Sequence, residues 1–389
     1  MIRCYLNAVA IASAMGNGDQ VSIDCLRTYS PALTSTDQFS PGKTLPLGMY
    51  MEPLPEIGLQ GKHWHSRNNR LALAALNQIR SQIEDARQRY GAERIAVVVG
   101  TSTSGISDSE HCLQQRAVTG VLPAEYDYRA QEMGATAAFI AEVLQTHGPA
   151  FGISTACSSG AKALASARRL LRAQVCDAVI AGGVDTLCHL TVQGFSSLEA
   201  VSEQPCNPFS ANRKGINVGE GAGLFLLTRD PGAIELAGVG ESSDAHHISA
   251  PDPSGAGAIR SMQMALADAG ITAESVDYIN LHGTATSLND QMEAHAVASV
   301  FGSHVPCSST KPFTGHTLGA AGALEAAVCC LALTEGFMPP HVWDGIFDPE
   351  LPPLNLVSTC ESTAEIRYAL SNSFAFGGNN ISLILRRHP

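Results

Sequence analysis

Thr155-Ala156-Cys157-Ser158-Ser159-Gly160 is the stretch around which the chain is organised. A strand-like run, Pro149 to Ser154, leads in, and an Ala-rich helical run, Ala161 to Arg172, leads out. A cysteine at such a turn lies where the first helical N–H groups are unpaired and the helix dipole is positive. That environment lowers a thiol pKa and favours the nucleophilic thiolate. The helix that follows is almost all Ala, Ser and Leu, with Lys162 its one early charge. Small side chains let other elements approach closely, so it reads as buried. Two readings stand together here: a nucleophile delivered to a cleft, or a small core residue at a tight turn, since free Cys is among the most buried residue types.

The surrounding chain sets bounds. Its 389 residues exceed one ordinary compact domain and suit two fused halves, read as 1–230 and 231–389. A hydrophobic fraction of 45% against 15% charged residues excludes disorder and implies a large interior. The net charge of −12 argues against nucleic acid or an anionic membrane as partner. An acidic partner would need a local basic cluster. Eleven cysteines without a CxxC pair point to reduced thiols and a cytoplasmic setting. No apolar run approaches the roughly 18 residues of a membrane span. The first 15 residues read as a strand rather than a signal peptide, because Asn7 interrupts the apolar run and Ser13 to Gly18 reads as a turn.

Working outward, Val21 to Leu33 reads as a helix, and residues 35–62 as a Pro- and Gly-rich loop with a short strand at Leu47 to Met51. Asn68 to Tyr90 is helical, with Leu71, Ala75, Ile79 and Ile83 on one face and Gly91 at the end. Arg94 to Gly100 is a continuous apolar run, as in a strand buried on both faces. Helix Glu132 to His147 precedes the cysteine turn, and strand Ala178 to Gly182 follows its helix. Strand and helix alternate, which predicts a parallel α/β architecture. Gly219-Glu220-Gly221 opens strand Leu224 to Thr228 with no helix behind it, so it reads as a close-packed strand entry rather than a phosphate loop.

A second alternation runs from strand Ile234 to Val239 through helix Ile259 to Ala269, strand Val276 to Leu281, helix Asp290 to Phe301 and strand Val305 to Ser309. Then Gly315-His316-Thr317 opens another small-residue helix, Leu318 to Thr334. Strands Ile366 to Asn372 and Asn380 to Leu385 close the chain. The two halves rhyme: each has a strand, a turn with a reactive type of residue, and an unusually apolar helix. Cys157, His282 and His316 therefore fall at strand ends or helix starts, where sites collect in such sheets. A Cys with two His is also a set of metal ligands, but a fourth ligand and short spacing are missing, so no metal is expected.

These residues carry a resemblance. Thr155 to Gly160, His282-Gly283-Thr284-Ala285-Thr286, Lys311 with Gly315 to Gly322, and Ser371-Asn372-Ser373-Phe374 to Asn380 resemble the β-ketoacyl-[acyl-carrier-protein] synthases I/II, from about Arg94 to the C-terminus. The resemblance implies a thiolase-like α/β fold, duplicated halves in five layers α-β-α-β-α. It implies an acyltransferase in which Cys157 takes an acyl group, and His282 and His316 hydrogen-bond the thioester oxygen of malonyl-carrier protein during decarboxylative condensation. Backbone N–H groups of Cys157 and Phe376 would form the oxyanion hole. Lys311 would order the histidines, and Glu325 would pair with it. Thr284 and Thr286 would bind the phosphopantetheine arm, and Phe374 and Phe376 would gate the acyl pocket.

No separate cofactor is implied, since substrates arrive on acyl carrier protein. The expected assembly is a homodimer, or a heterodimer with a ketosynthase-like subunit. Lys62, Arg67 and Arg70, or Arg213 with Lys214, are the candidate carrier-protein contacts. Thiolases carry a second cysteine where this chain has Phe-Ala-Phe-Gly-Gly, and type III synthases have Asn at His316, so both are disfavoured. Non-elongating partner subunits usually replace the cysteine, so Cys157 favours the catalytic member over that alternative. Ala375 stands where Gly is usual, Asn379 where Thr or His is usual, and Ser210 and Lys214 where acids are common. These departures suit a specialised synthase, such as one elongating aryl-polyene chains, alongside ordinary fatty-acid elongation.

Overall fold

The computed structural model describes residues 2–360 and 365–388. The first half contains strands β1 (Tyr5–Ser13), β2 (Gly16–Asn17), β3 (Thr34–Thr36), β4 (Leu45–Leu47), β5 (Ile95–Gly100), β6 (Ala150–Ile153), β7 (Ala178–Asp185) and β8 (Gly221–Thr228). Its helices are α1 (Asp19–Leu26), α2 (Arg67–Gln78), α3 (Arg80–Tyr90), α4 (Ile106–Thr119), α5 (Ala135–Leu144), α6 (Ser159–Arg172) and α7 (His189–Ser197). The second half adds β9 (Ile234–Ser243), β10 (Tyr278–Asn280), β11 (Pro306–Ser308), β12 (Asn355–Leu356), β13 (Tyr368–Ala375) and β14 (Asn379–Arg387). Its helices are α8 (Ala256–Ala269), α9 (Ser287–Phe301), α10 (Lys311–Thr314) and α11 (Ala321–Glu335).

The duplication read from the sequence is visible in the strand order. In the first half the order is β6-β5-β7-β8-β1, and in the second β11-β10-β13-β14-β9, with β12 outside β11. Directions match as well: β5 is parallel to β6 and β7, while β8 is antiparallel to β7 and β1. Likewise β10 is parallel to β11 and β13, while β14 is antiparallel to β13 and β9. The two sheets touch at one register pair, Tyr5 with Glu235.

Three buried apolar layers pack against them, one between the sheets and one on each outer face. Leu71, Leu76, Phe139 and Ile140 of α2 and α5 pack with Val97, Val99 and Ile180 on the outer face of the first sheet. Met262, Leu266, Met292 and Val297 of α8 and α9 pack with Ile279, Leu370 and Ile384 on the outer face of the second. Between the sheets lie α6 and α11, whose Leu164, Leu171, Leu324 and Leu333 meet Val98 and Phe225 on one side and Ile381 and Leu383 on the other. This is the five-layer thiolase-like arrangement.

The sequence expectations differ from the structure at several points. The helix expected over residues 21–33 stops at Leu26, since Tyr29 takes φ +56° and Pro31 follows. The loop expected over 35–62 contains a hairpin pairing Thr34 with Leu47, and its second strand is Leu45–Leu47. The single helix expected over 68–90 breaks at Ile79 (φ −116°, ψ 16°) into α2 and α3. Helices α4 and α7 carried no apolar stripe to read: in α4 only Ser109 and Cys112 are buried, and in α7 only Val192. Residues 318–335 form a helix long and apolar enough to cross a membrane, but 89% of it is buried inside the fold as the core layer just described.

Candidate active site

Cys157 follows β6 at a sharp turn. Ala156 takes φ +53°, a left-handed conformation that costs a non-glycine residue roughly 1–2 kcal/mol. The two serines hold this turn: Ser158 Oγ donates to Thr155 O at 2.7 Å, and Ser159 Oγ to Ala156 O at 2.6 Å. Strain held by local hydrogen bonds is a pattern of functional sites.

The N-terminal ends of the two central helices cross at this turn, and glycines permit the crossing. A Cβ on Gly160 would fall 2.9 Å from Ala323 Cβ and 2.9 Å from Gly319 O; one on Gly183 would fall 2.8 Å from Ala320 Cα. A Cβ on Gly219 would sit 2.2 Å from Thr314 O, which explains the glycine-rich entry to β8 as close packing. The backbone of His316 is clamped there: its N–H donates to Asn217 O at 2.6 Å, and its carbonyl accepts from Gly219 N at 2.9 Å.

The crossing brings His316 Nε2 to 3.0 Å from Cys157 Sγ. The His282 ring meets the His316 ring edge-on, at 5.4 Å and 83°. The backbone of His282 is gripped by a buried carboxylate, since Glu293 Oε1 accepts from His282 N at 2.8 Å and Oε2 from Gly283 N at 2.7 Å. Lys311, 2% exposed, donates Nζ–H to His282 O and to Glu325 Oε1, and lies 3.4 Å from His282 Nδ1. An ammonium can only donate, so Nδ1 accepts and the ring proton of His282 sits on Nε2.

The electrostatics correct one sequence expectation. The helix terminus suggested a depressed thiol pKa, but Cys157 is buried, and burial pushes its thiol up to about 11. Lys311 and the backbone N–H groups of Phe376 and Cys157 pull it down without reversing the shift. Burial, with Lys311 next, holds both histidines well below their ordinary range. The resting pair is thus a thiol beside a neutral imidazole. Burial also pushes Glu325 and Glu293 up to about 7, and Asp290 up to about 6.

Cys157, His282 and His316 line the same cavity, of about 430 Å³. Phe374, Phe376, Phe195, Thr284 and Thr286 line it too, with the exposed Leu198 and Leu288 and with Lys214. Phe374 lies 6.3 Å from the His282 ring, and Phe376 lies 5.7 Å from Phe195. The hydroxyls of Thr284 and Thr286 are 2.9 Å apart. The reactive atoms of Cys157, His282 and His316 lie within 4.8 Å of one another, close enough for a metal by distance alone. The Lys311 ammonium against His282 opposes a cation there. The arrangement suits proton transfer from a thiol and hydrogen bonding to a developing oxyanion.

The basic residues are differently placed. Arg67 is committed to the buried Glu220, at 2.5 and 3.0 Å, and Arg213 to Asp348 at 2.5 Å. Arg70 bonds Glu56 at 2.8 Å and the carbonyl of Leu54 at 3.0 Å, and Lys62 donates to Ala124 O. Lys214 is exposed at the cavity. Sequence reasoning missed Phe195, Asp290 and Glu293. Phe195 lies in the overlooked α7, whereas the acid pair at i, i+3 directly after the His282 strand end was a readable signal of one helix face turned toward the site.

Comparisons with known proteins bear on the fold and the family. The profile of the β-ketoacyl synthase N-terminal domain matches residues 62–233, and that of the C-terminal domain matches 233–343. The likeness thus begins earlier than the Arg94 suggested by motifs. The chain is 35% identical to nodulation protein E of Rhizobium meliloti (strain 1021) over 356 residues, 88% of each chain. It is 38% identical to 3-oxoacyl-[acyl-carrier-protein] synthase 2 of the same strain over 315 residues, 75% of this chain and 74% of the relative. A chain of the complex of the ketosynthase ApeO with its chain length factor ApeC, from Xenorhabdus doucetiae, superposes with a TM-score of 0.95 at 45% identity, covering 99% of this chain and 98% of that one. The chain belongs to the β-ketoacyl synthase family of acyltransferases.

Proposed function

We propose that the protein is an elongating 3-oxoacyl-[acyl-carrier-protein] synthase, with its nucleophile in the half up to residue 230 and its His/His/Lys group in the half from 231. The observation that carries this is Cys157 Sγ 3.0 Å from His316 Nε2, beside a His282 whose Nδ1 faces Lys311. In the first step Nε2 of His316 takes the Sγ proton and sulfur attacks the carbonyl of an acyl-carrier thioester. The N–H groups of Cys157 and Phe376 hold the oxyanion. The intermediate expels the carrier thiolate, which takes up the proton. Malonyl-carrier protein then enters. Its carboxylate C–C bond breaks, CO₂ leaves, and the electron pair passes to an enolate whose oxygen accepts from Nε2–H of His282 and from His316, whose ring proton has by then moved from Nδ1 to Nε2. The carbanion attacks acyl-Cys157, a C–C bond forms, and the cysteine thiolate leaves and takes up a proton from solvent.

Substrates come on phosphopantetheine, with Thr284 and Thr286 along the arm, Phe374 and Phe376 gating the acyl end, and no separate cofactor. Lys62 and Lys214 are the candidate carrier contacts least committed within the fold. All eleven cysteines are free, which supports a reducing, cytoplasmic setting. The edge strand β6 exposes Ala150 and Phe151, and Val118, Val121 and Tyr128 are exposed on and after α4. These support pairing with a second ketosynthase-like chain. The likeness to a ketosynthase solved with its chain length factor, together with Ala375 and Asn379 in the gating turn, favours a specialised chain such as an aryl polyene.

The test is incubation with acyl- and malonyl-carrier proteins followed by mass spectrometry. Acyl on Cys157 and CO₂ release are expected. Absence of both would overturn the reading, and full activity of an assembly carrying Cys157→Ala would make this chain the non-elongating partner.

A further inference from the structure

Gly283, next to His282, takes φ +35° and is pressed from two directions. The position a Cβ would take lies 2.5 Å from Ser309 Cβ and 3.0 Å from Phe209 Cε2. Ser309 Oγ also donates to Gly283 O at 2.7 Å. Both pressing segments are held by one side chain, His341, which is 4% exposed. Its Nδ1 accepts from Ser309 N at 3.1 Å, and its Nε2 lies 3.0 Å from Pro208 O, a carbonyl that can only accept. The ring therefore carries its proton on Nε2, and burial, which pushes its pKa down to about 4, keeps it neutral. The His341 ring also lies 6.0 Å from the Phe209 ring and 5.6 Å from the Trp343 ring. Among the described residues, Cys157, Phe376 and His316 make no direct hydrogen bond to this clamp; Ser309 Oγ accepts from Lys311 N at 3.4 Å, while the backbone of His316 is held by Asn217 and Gly219.

We infer that His341 is a positioning residue for the condensation half of the reaction: its two ring nitrogens fix Ser309 and Pro208, and through them the backbone that carries His282. The inference rests on the synthase reading above. It assigns to one residue, 59 positions beyond His282 in the chain, the separation of two half-reactions on one cavity. A misplacement of about 1 Å at a reacting centre costs on the order of 100-fold in rate. Loss of the clamp is therefore expected to slow the step that uses His282, and to spare the step that uses Cys157 and His316.

The experiment compares wild type, His341→Leu and His341→Asn in single turnovers. Acylation of Cys157 is followed by intact mass, and CO₂ release is then measured from malonyl-carrier protein on the acylated enzyme. His341→Leu removes both bonds and is expected to slow CO₂ release about tenfold or more, with acylation within about twofold of wild type. His341→Asn keeps an acceptor near the Nδ1 position and is expected to recover part of that loss. Equal slowing of both steps in the two variants, or no slowing in either, would overturn the inference. A wild-type protein that fails to acylate Cys157 would instead overturn the synthase reading on which it stands.

Discussion

Gly160→Ala tests whether the crossing of the central helices sets the Cys157–His316 distance. The added methyl would lie 2.9 Å from Ala323 Cβ, 2.9 Å from Gly319 O and 3.0 Å from Ala323 N. Comfortable carbon contacts are about 3.5–4.0 Å, so the helices must part by roughly 0.5–1 Å. Cys157 lies three residues before Gly160, and His316 three before Gly319. The separation therefore adds to the 3.0 Å between Sγ and Nε2. Overpacking costs about 1–3 kcal/mol, offset by about 1 kcal/mol because Ala is the better helix former. Stability should fall by no more than about 2 kcal/mol, leaving a folded protein. Acylation should slow about tenfold to a hundredfold, since a shift of about 1 Å costs on the order of 100-fold. The assay is single-turnover acylation of Cys157 beside a thermal melt. Gly194→Ala, whose methyl meets nothing within 4 Å, is the control. A Gly160→Ala protein that acylates at the wild-type rate would refute the link between crossing and site.

Three further outcomes are expected. With burial holding the Cys157 thiol near 11, alkylation by iodoacetamide should quicken about tenfold per pH unit from pH 7 to 10; a plateau below pH 9 would mean that the helix terminus and Lys311 outweigh burial. Glu325→Leu leaves the Lys311 ammonium buried without its carboxylate and should cost about 3–5 kcal/mol. Adding Lys311→Met should restore most of that stability in a melt but leave malonyl decarboxylation slow; recovery of both would deny Lys311 its role at His282. Arg67→Ala removes the guanidinium from Glu220, itself 1% exposed on its side chain, and should cost about 1–3 kcal/mol. Carrier-protein affinity should stay unchanged, and a selective loss of affinity without a drop in melting temperature would place Arg67 at the docking face instead.

What the sequence revealed follows from how local each signal is. The run Ile95 to Gly100 is buried at every position, and the small-residue helices α6 and α11 lie in the central layer, so both were legible as apolar patterns. Helices α4 and α7 face outward over most of their length and left no stripe. The break at Ile79 is invisible because the apolar spacing runs on through it. Pairings across the fold are the other limit. Arg67 reads as a free cation until Glu220, 153 residues away, comes beside it. The same limit misjudged the thiol: the helix terminus is local and readable, whereas the burial that outweighs it is assembled from both halves.

The division of labour between the halves explains why the crossing matters more than either half alone. Cys157 follows β6 and the Lys311-to-His316 segment follows β11, and these two strands hold equivalent places in their sheets. In the proposed mechanism the nucleophile therefore comes from one copy of the motif and the charge-handling groups from the other. Among the described residues the sheet edges are joined by the Tyr5–Glu235 register pair and the bond from Leu236 N to Cys4 O, few contacts with which to fix the relative position of the copies. The central layer must fix it, and its contacts are backbone-close at Gly160, Gly183 and Gly319. Contacts between backbones have little freedom to adjust, unlike contacts between long side chains. The duplicated fold is thereby rigid where, in the proposed mechanism, a proton passes the 3.0 Å from sulfur to nitrogen.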